Sequence, residues 1–530
     1  MIKGFRQIAS FTMFSRVLGM IRDMCYAYFF GATAFSDAWY IAFKIPNLAR
    51  RIFGEGAASA SFIPVYSSAL HKSQQQARKL ACSVITAIAG SVSLLVLAAW
   101  VSMGGYSVFF GVTDENSLIF SLTAIMLPYA VMICTAALMS GILNVHGHFA
   151  APAAAPVILN IAIISAIVIP GYFWGAAAEK LVYFAAFSVL AGGVVQLAML
   201  IPFLKRERVV IRPLFEFKTP EFRRIMIMFA PMVIGLTATQ INTLLDDVLA
   251  WLLSGSEIKG AAFVFWGREV TYPLWRGSVS YLYYAQRLYQ LPLGVIGISL
   301  ATAVFPVFSR ASAAGDLQQL RNTLSKGLRM SILIAMPAAA GLIIVSRPLI
   351  SLLFEHGDKF SRSDTIDTMN TLLFYSVGLP GFFWQQIVTR VHYSRFNSKI
   401  PAMTAVLAVL VNFMLNITLV WFMNIQAFAL ATSVAAYVQS LLLLHLLEEP
   451  VREKIWRDTG PEAARILIAS LAMLIAGTAV MGKMDFIAES IAGDIIRLLA
   501  VIPFSAGVYW VLVKLMRVES LKYLTGKSEL

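Results

Sequence analysis

Along most of the chain, apolar residues follow one another for about 20 positions with scarcely a charge between them, as in "ACSVITAIAGSVSLLVLAAW" (81–100). A helix of that length, rising about 1.5 Å per residue, crosses a hydrocarbon core of roughly 30 Å. The runs are too long and too uniformly apolar for the alternating strands of a membrane β-barrel. The pattern predicts an all-α polytopic membrane protein with fourteen transmembrane helices. They centre near residues 8–30, 36–66, 80–103, 118–142, 151–171, 181–204, 222–252, 279–308, 327–346, 370–390, 400–423, 426–447, 464–481 and 495–516. Composition agrees: 59% of residues are hydrophobic and 13% charged, whereas a soluble domain averages nearer a quarter charged.

Charge adds an orientation. A net charge of +14 would suit nucleic acid, but the basic residues sit in short loops between spans, so no nucleic-acid partner is expected. An even number of spans puts both termini on one side. Loops and tails on that side hold about 27 Lys or Arg, notably "KRERVVIRPLFEFKTPEFRR" (205–224), and the opposite loops about 8. That bias places both termini in the cytoplasm. Arg16 and Arg22 interrupt the first run and no small-residue cleavage site follows, so it reads as a retained helix in the cytoplasmic membrane. Cys25, Cys82 and Cys134 all fall in apolar segments and read as core residues.

Internal echoes add a symmetry. "SFIPVYSSALHKSQQQARK" (61–79) resembles "AVFPVFSRASAAGDLQQLRN" (303–322), each with an aromatic–Pro–Val–aromatic–Ser corner and a Gln-Gln-x-Arg loop. "NVHGHFAAPA" (144–153) echoes "RVHYSRFNSKIPA" (390–402) at nearly the same offset, which is six spans. An even offset keeps the copies in one orientation, as in parallel repeats. The expected layout is two six-helix lobes plus two C-terminal helices. It divides the chain into an N-lobe (1–204), a basic cytoplasmic linker (205–224), a C-lobe (225–450), and helices 13–14 with a tail (451–530).

Charges inside the spans carry the chemistry. A charge at mid-bilayer costs roughly 2.5–3.5 kcal/mol on insertion scales, so such residues face a bundle interior or a watery cavity. The first two spans hold Arg16, Arg22, Asp23, Asp37, Lys44, Arg50, Arg51 and Glu55, with Pro46 expected to kink the second. Arg287 lies deep in the eighth, also ahead of a proline. Six basic groups against three acidic ones leave an excess of three positive charges. Helix-to-helix bonding alone would tend towards balance. The excess suits a mobile anion, and Arg matches phosphate oxygens in bidentate geometry.

Other signals are weaker. Asn242, Asp246 and Asp247 in the seventh span, Asn412 and Asn416 in the eleventh and Thr432 in the twelfth offer oxygens suited to Na⁺, or simply interhelical hydrogen bonds. "TGKS" (525–528) lacks the first glycine and the strand of a phosphate-binding loop. His146 and His148 share a short cytoplasmic loop with no evident partner cluster, so no metal site is expected there. No motif for ATP binding or hydrolysis appears, and transport without one is passive or coupled to an ion gradient. A membrane-embedded glycosyltransferase or phosphatase would need a catalytic carboxylate or histidine pair, and none is evident. A multidrug or cation antiporter would need an acidic, aromatic pocket, which the cationic excess disfavours.

"SRVLGMIRD" (15–23), "SDAWYIAFKIPNLARRIFGEGAASASFIPVY" (36–66) and "YYAQRLYQLPLGVIGISLATAVFPVFS" (283–309) closely resemble the bacterial lipid II flippase family, MurJ or MviN. This family belongs to the multidrug/oligosaccharidyl-lipid/polysaccharide exporter superfamily. The resemblance implies an alternating-access flippase, not an enzyme, moving undecaprenyl-pyrophosphate-linked disaccharide-pentapeptide to the outer leaflet for peptidoglycan synthesis. An O-antigen-type flippase shares the same lipid handle and stays open as an alternative. The resemblance puts functional arginines at Arg16, Arg22, Arg50 and Arg287, with Asp37 as the matching acidic position; Asp23, Lys44, Arg51 and Glu55 are supporting candidates from the charge pattern alone. It implies a lipid groove on helices 13 and 14, and no cofactor beyond a candidate coupling Na⁺ at Asp246, Asn412, Asn416 and Thr432. Partners would be lipid II, membrane lipids and the cell-wall synthesis machinery, around a monomer. Gln286 and Gln290 stand where family members often have acidic residues. The segment "EIKGAAFVFWGREVTYPLWR" (257–276) looks like an insertion ahead of the eighth span, expected to be a periplasmic amphipathic segment lying on the membrane.

Overall fold

The computed structural model describes residues 2–112, 114–452 and 455–524, with side chains described except at 2–9, 54–60, 110, 114–115, 230–231, 234–236, 238–239 and 524. The chain is predominantly helical. Its helices are α1 (Ile2–Phe30), α2 (Ala34–Ala49), α3 (Ala57–Lys72), α4 (Gln74–Phe110), α5 (Asp114–Val145), α6 (Ala150–Val168), α7 (Ala178–Arg206), α8 (Pro220–Leu252), α9 (Ser278–Pro292) and α10 (Ile298–Ala313). There follow α11 (Leu317–Phe354), α12 (Arg362–Val377), α13 (Leu379–Ser394), α14 (Lys399–Met423), α15 (Gln426–His445), α16 (Glu449–Arg452), α17 (Ile455–Lys483), α18 (Ile491–Leu515) and α19 (Leu521–Leu524). Four short strands, β1 (Ser254–Gly255), β2 (Ala262–Phe265), β3 (Arg268–Thr271) and β4 (Leu274–Trp275), lie between α8 and α9. Among the described residues, ten helices are long and apolar enough to cross a membrane, and the chain is an integral membrane protein.

Proline placement explains where the long helices change pitch. Pro46 lies near the end of α2, and a π-helical segment, Arg50–Gly56, joins it to α3. Pro292 lies at the end of α9, and a π-helical segment, Leu293–Gly297, joins it to α10. A proline cannot donate to the helical ladder, and the backbone re-registers by one residue beyond it. α3 and α10, both 16 residues long, then carry the echoing Pro64 and Pro306. After these corners come the two long helices. α4 is capped by the Ser73 hydroxyl, which accepts from the Gln76 N–H, and α11 by the Asp316 carboxylate, which accepts from the Gln319 N–H at 2.8 Å.

The chain forms two compact units, one of Met1–Val248 with Ser256–Ala261, the other of Leu249–Gly255 with Ala262–Leu530. In the first, α1 packs on α6, α6 on α7, α7 on α5, and α5 on α2 and α4. Gly192 and Gly193 let α7 approach both neighbours. A Cβ at Gly193 would stand 2.7 Å from the Tyr129 ring, and one at Gly192 3.1 Å from Leu159. In the second unit, α11 is the central helix, packed against α10, α12, α13, α17 and α18. Leu320, Leu324 and Leu328 pack its first turns against α10, α13 and α15, and Ile332 and Leu333 continue onto α17 and α18. Most of α8 belongs to the first unit, because Lys44 and Arg51 bond to it. The sequence boundary at residue 225 and the division at Val248 thus fall at opposite ends of this helix.

Candidate functional site

Arg22 and Asp23 are consecutive on α1, and the guanidinium folds back onto its neighbour. Nε and Nη2 donate to Asp23 Oδ1 at 3.1 and 2.8 Å. Nη1 donates at 3.0 Å to Oδ1 of Asn160 on α6, whose Nδ2 donates to the Ser15 carbonyl at 3.1 Å. The guanidinium carbon lies 5.5 Å from the Tyr26 ring centre and 5.9 Å from that of Phe43. Arg22 is only 6% exposed, so its charge is held by one carboxylate, one amide and two π faces. Arg16, two turns earlier, is exposed.

The second span begins with Asp37, which is fully buried in the first turn of α2, where the helix dipole favours a carboxylate. The Ser36 hydroxyl bonds back to the Thr33 backbone at 2.9 Å and fixes this start. Lys44 reaches α8. Its Nζ donates to the Thr243 carbonyl at 3.0 Å and pairs with the buried carboxylate of Asp247. Arg50 opens the π-helical segment and is half-buried. Arg51 Nη1 donates to Gln240 Oε1 at 3.0 Å. The side chain of Glu55 lies outside the described residues, as does the "TGKS" tail.

In the second unit, Arg287 Nη2 donates to the Tyr283 hydroxyl one turn earlier at 2.7 Å, with the guanidinium carbon 4.8 Å from that ring's centre. Gln286 Nε2 donates to the Tyr375 hydroxyl at 3.0 Å, a bond a carboxylate there would replace with an accepting one. Tyr289 stacks on Tyr375 and Phe382 at 4.8 and 5.2 Å. Asn412, Asn416 and Thr432 come together: Asn416 donates to Asn412, and Asn412 to Thr432, each at 3.0 Å. Asp246, buried on α8, belongs to the first unit. Among the described residues, no cluster of three His, Cys, Asp or Glu is arranged to hold a metal ion.

Two expectations need correction. The count of charges in the spans does not include Asp247 of α8, which answers Lys44. His146 and His148 do have a partner: Glu207, just past α7, meets His146 Nδ1 at 3.1 Å and His148 Nε2 at 2.8 Å, and the Tyr66 hydroxyl bonds His146 Nε2 at 3.0 Å. The hydrogen bond with His148, aided by His146, holds the Glu207 carboxyl below its usual range. Asn160, Gln240 and Asp247 are partners that sequence spacing does not connect to these charges. An asparagine alone in the apolar run "PVILNIAIISAIV" (156–168) was the available signal for the first.

A family model described as "Lipid II flippase MurJ" matches residues 26–496. A probable lipid II flippase MurJ of Buchnera aphidicola subsp. Acyrthosiphon pisum (strain APS) is 30% identical over 484 residues, covering 90% of this chain and 89% of that one. A solved lipid II flippase MurJ in an inward closed conformation superposes with a TM-score of 0.74 at 27% identity, covering 96% of this chain and 98% of that one. An inward-facing multidrug resistance MATE family transporter of the MOP superfamily shares the fold, with a TM-score of 0.62 at 15% identity over 86% of this chain and 98% of its own. The chain belongs to the lipid II flippase MurJ family.

Proposed function

We infer that this protein is a lipid II flippase, a transporter rather than an enzyme. It carries the undecaprenyl-pyrophosphate-linked disaccharide-pentapeptide from the inner to the outer leaflet of the cytoplasmic membrane by alternating access. The observation that carries this reading is the placement of Arg22 and Arg50 within the first two spans of a chain of this family. Arginines so placed are expensive in a membrane and suited to a diphosphate. Arg16, Arg50 and Arg287 engage the pyrophosphate. Arg22, already bonded to Asp23 and Asn160, orients α1 and joins as those bonds exchange, and buried Asp37 balances the local charge.

The same reading counts fourteen spans with both termini cytoplasmic. The four beyond the ten apolar helices are α1, α2 with α3, α8, and α12 with α13, each bearing charges within its length. Two six-helix lobes followed by α17 and α18 are supported by the matched proline and π-helical corners and the matched caps of α4 and α11. Na⁺ is the coupling ion in this reading, with Asn412, Asn416 and Thr432 of the second unit as its donors.

The test is growth rescue in cells depleted of their own flippase. Arg22→Ala and Arg50→Ala are expected to abolish rescue at normal membrane abundance, and both to stop lipid II translocation in vesicles. Full rescue by both would remove the diphosphate role.

A further inference from the structure

Within the 257–276 segment lies a β-hairpin. β2 pairs antiparallel with β3 in a register that sets Phe265 opposite Arg268, leaving Trp266 and Gly267 as a two-residue turn. Both have positive φ, 49° and 74°, the conformation that matches a hairpin's twist and normally selects Asn-Gly or Asp-Gly. A tryptophan there is strained, because its Cβ crowds the backbone in the left-handed region. The fold leaves the side chain almost uncovered, for Trp266 is 93% exposed, Val264 74% and Phe265 60%. The Phe265 and Trp266 rings stack at 5.9 Å, so the tip presents one apolar wedge.

The root is fixed. β1 pairs with β4, and the Arg276 N–H donates to the Gly255 carbonyl at 3.2 Å. Buried Arg276 donates through Nη1 to the Trp251 carbonyl at 2.7 Å, its guanidinium 3.4 Å from the Trp251 ring centre. Half-exposed Leu252 and Trp275 continue the apolar surface down to this root. Two residues later begins the Ser278–Ala313 span. At 36 residues, or about 54 Å if straight, it exceeds the roughly 30 Å hydrocarbon core and is long enough to reach the headgroup layer at both ends. Four-residue strands reach only about 13 Å from their base. A tip tethered so closely stays within reach of the lipid surface.

We propose that the Val264–Trp266 tip is an interfacial anchor that inserts among lipid headgroups beside the Ser278–Ala313 span. Tryptophan partitions to this layer because its ring is apolar and its N–H still finds water or phosphate. Arg268, exposed beside the tip, supplies a cation for the lipid phosphates. Anchoring there would hold the start of α9, and with it Arg287, at a fixed depth.

The experiment reads depth directly and needs no lipid II. With Cys25, Cys82 and Cys134 replaced by alanine, Val264→Cys carries a nitrobenzoxadiazole label in vesicles of phosphatidylethanolamine and phosphatidylglycerol. Headgroup-nitroxide lipid is expected to quench the label several-fold more than aqueous iodide does. Phe265→Ser with Trp266→Ser is expected to invert that ratio, while the protein stays monodisperse. Strong iodide quenching with no lipid quenching, whatever the tip residues, overturns the anchor. A benzophenone at position 264 that captures a protein in cells, rather than lipid, overturns it in favour of a protein dock.

Discussion

Lys44 shows how a charge in a membrane helix is kept. It is partly buried and bonds across to α8, where the Asp247 carboxylate is almost wholly enclosed. Removing one member of such a pair strands the other in a low-dielectric setting. Lys44→Ala should therefore lower unfolding stability by about 3–5 kcal/mol, and Lys44→Ala with Asp247→Ala should recover most of it. Denaturant titration in detergent measures both, and additive losses would mean the pair is not coupled. Asn160 poses the neutral counterpart. Asn160→Leu takes away the acceptor of Arg22 Nη1 and the donor to the Ser15 carbonyl, and should cost about 1–3 kcal/mol. Asn160→Asp should cost less if an anion beside Arg22 is tolerated.

Between helices, close approach and loop latches decide the packing. At the α12–α13 junction, a Cβ on Gly378 would stand 2.3 Å from the Ser433 hydroxyl and 2.9 Å from its Cα on α15. The nearer atom can rotate but the backbone cannot, so Gly378→Ala should destabilise by about 1–3 kcal/mol, read as a lower melting temperature. The His146–Glu207–His148 latch joins the α5–α6 loop to the end of α7. Because the folded Glu207 carboxyl titrates below its ordinary value, its contribution is complete above that ordinary value. It is lost as pH falls through the lowered one. The stability gap between the wild type and Glu207→Gln should hold steady at neutral pH and close on acidification. A gap that widens in acid would contradict the latch.

Over the whole molecule, ion coupling is the property to measure. Under the Na⁺ reading, replacing K⁺ with Na⁺ should raise the melting temperature of the purified protein, since a ligand that binds only the folded state stabilises it. Asn412→Ala with Asn416→Ala should abolish the difference. An equal melting temperature in both salts would leave the Asn412–Asn416–Thr432 chain as hydrogen bonding between α14 and α15. The long apolar helices, the proline corners and the arginines lying within helices were legible in the chain, because hydropathy, proline chemistry and helical spacing act over a few residues at a time. What only the tertiary structure decided was which charges are already answered. Asp247 meets Lys44 across 203 residues, and Asn160 meets Arg22 across 138. Glu207 gathers two histidines from another loop, and the 257–276 segment closes on itself as a hairpin with tryptophan at its tip. A polar side chain in an apolar run must find a partner, but its own neighbours in sequence do not say which helix packing will supply it.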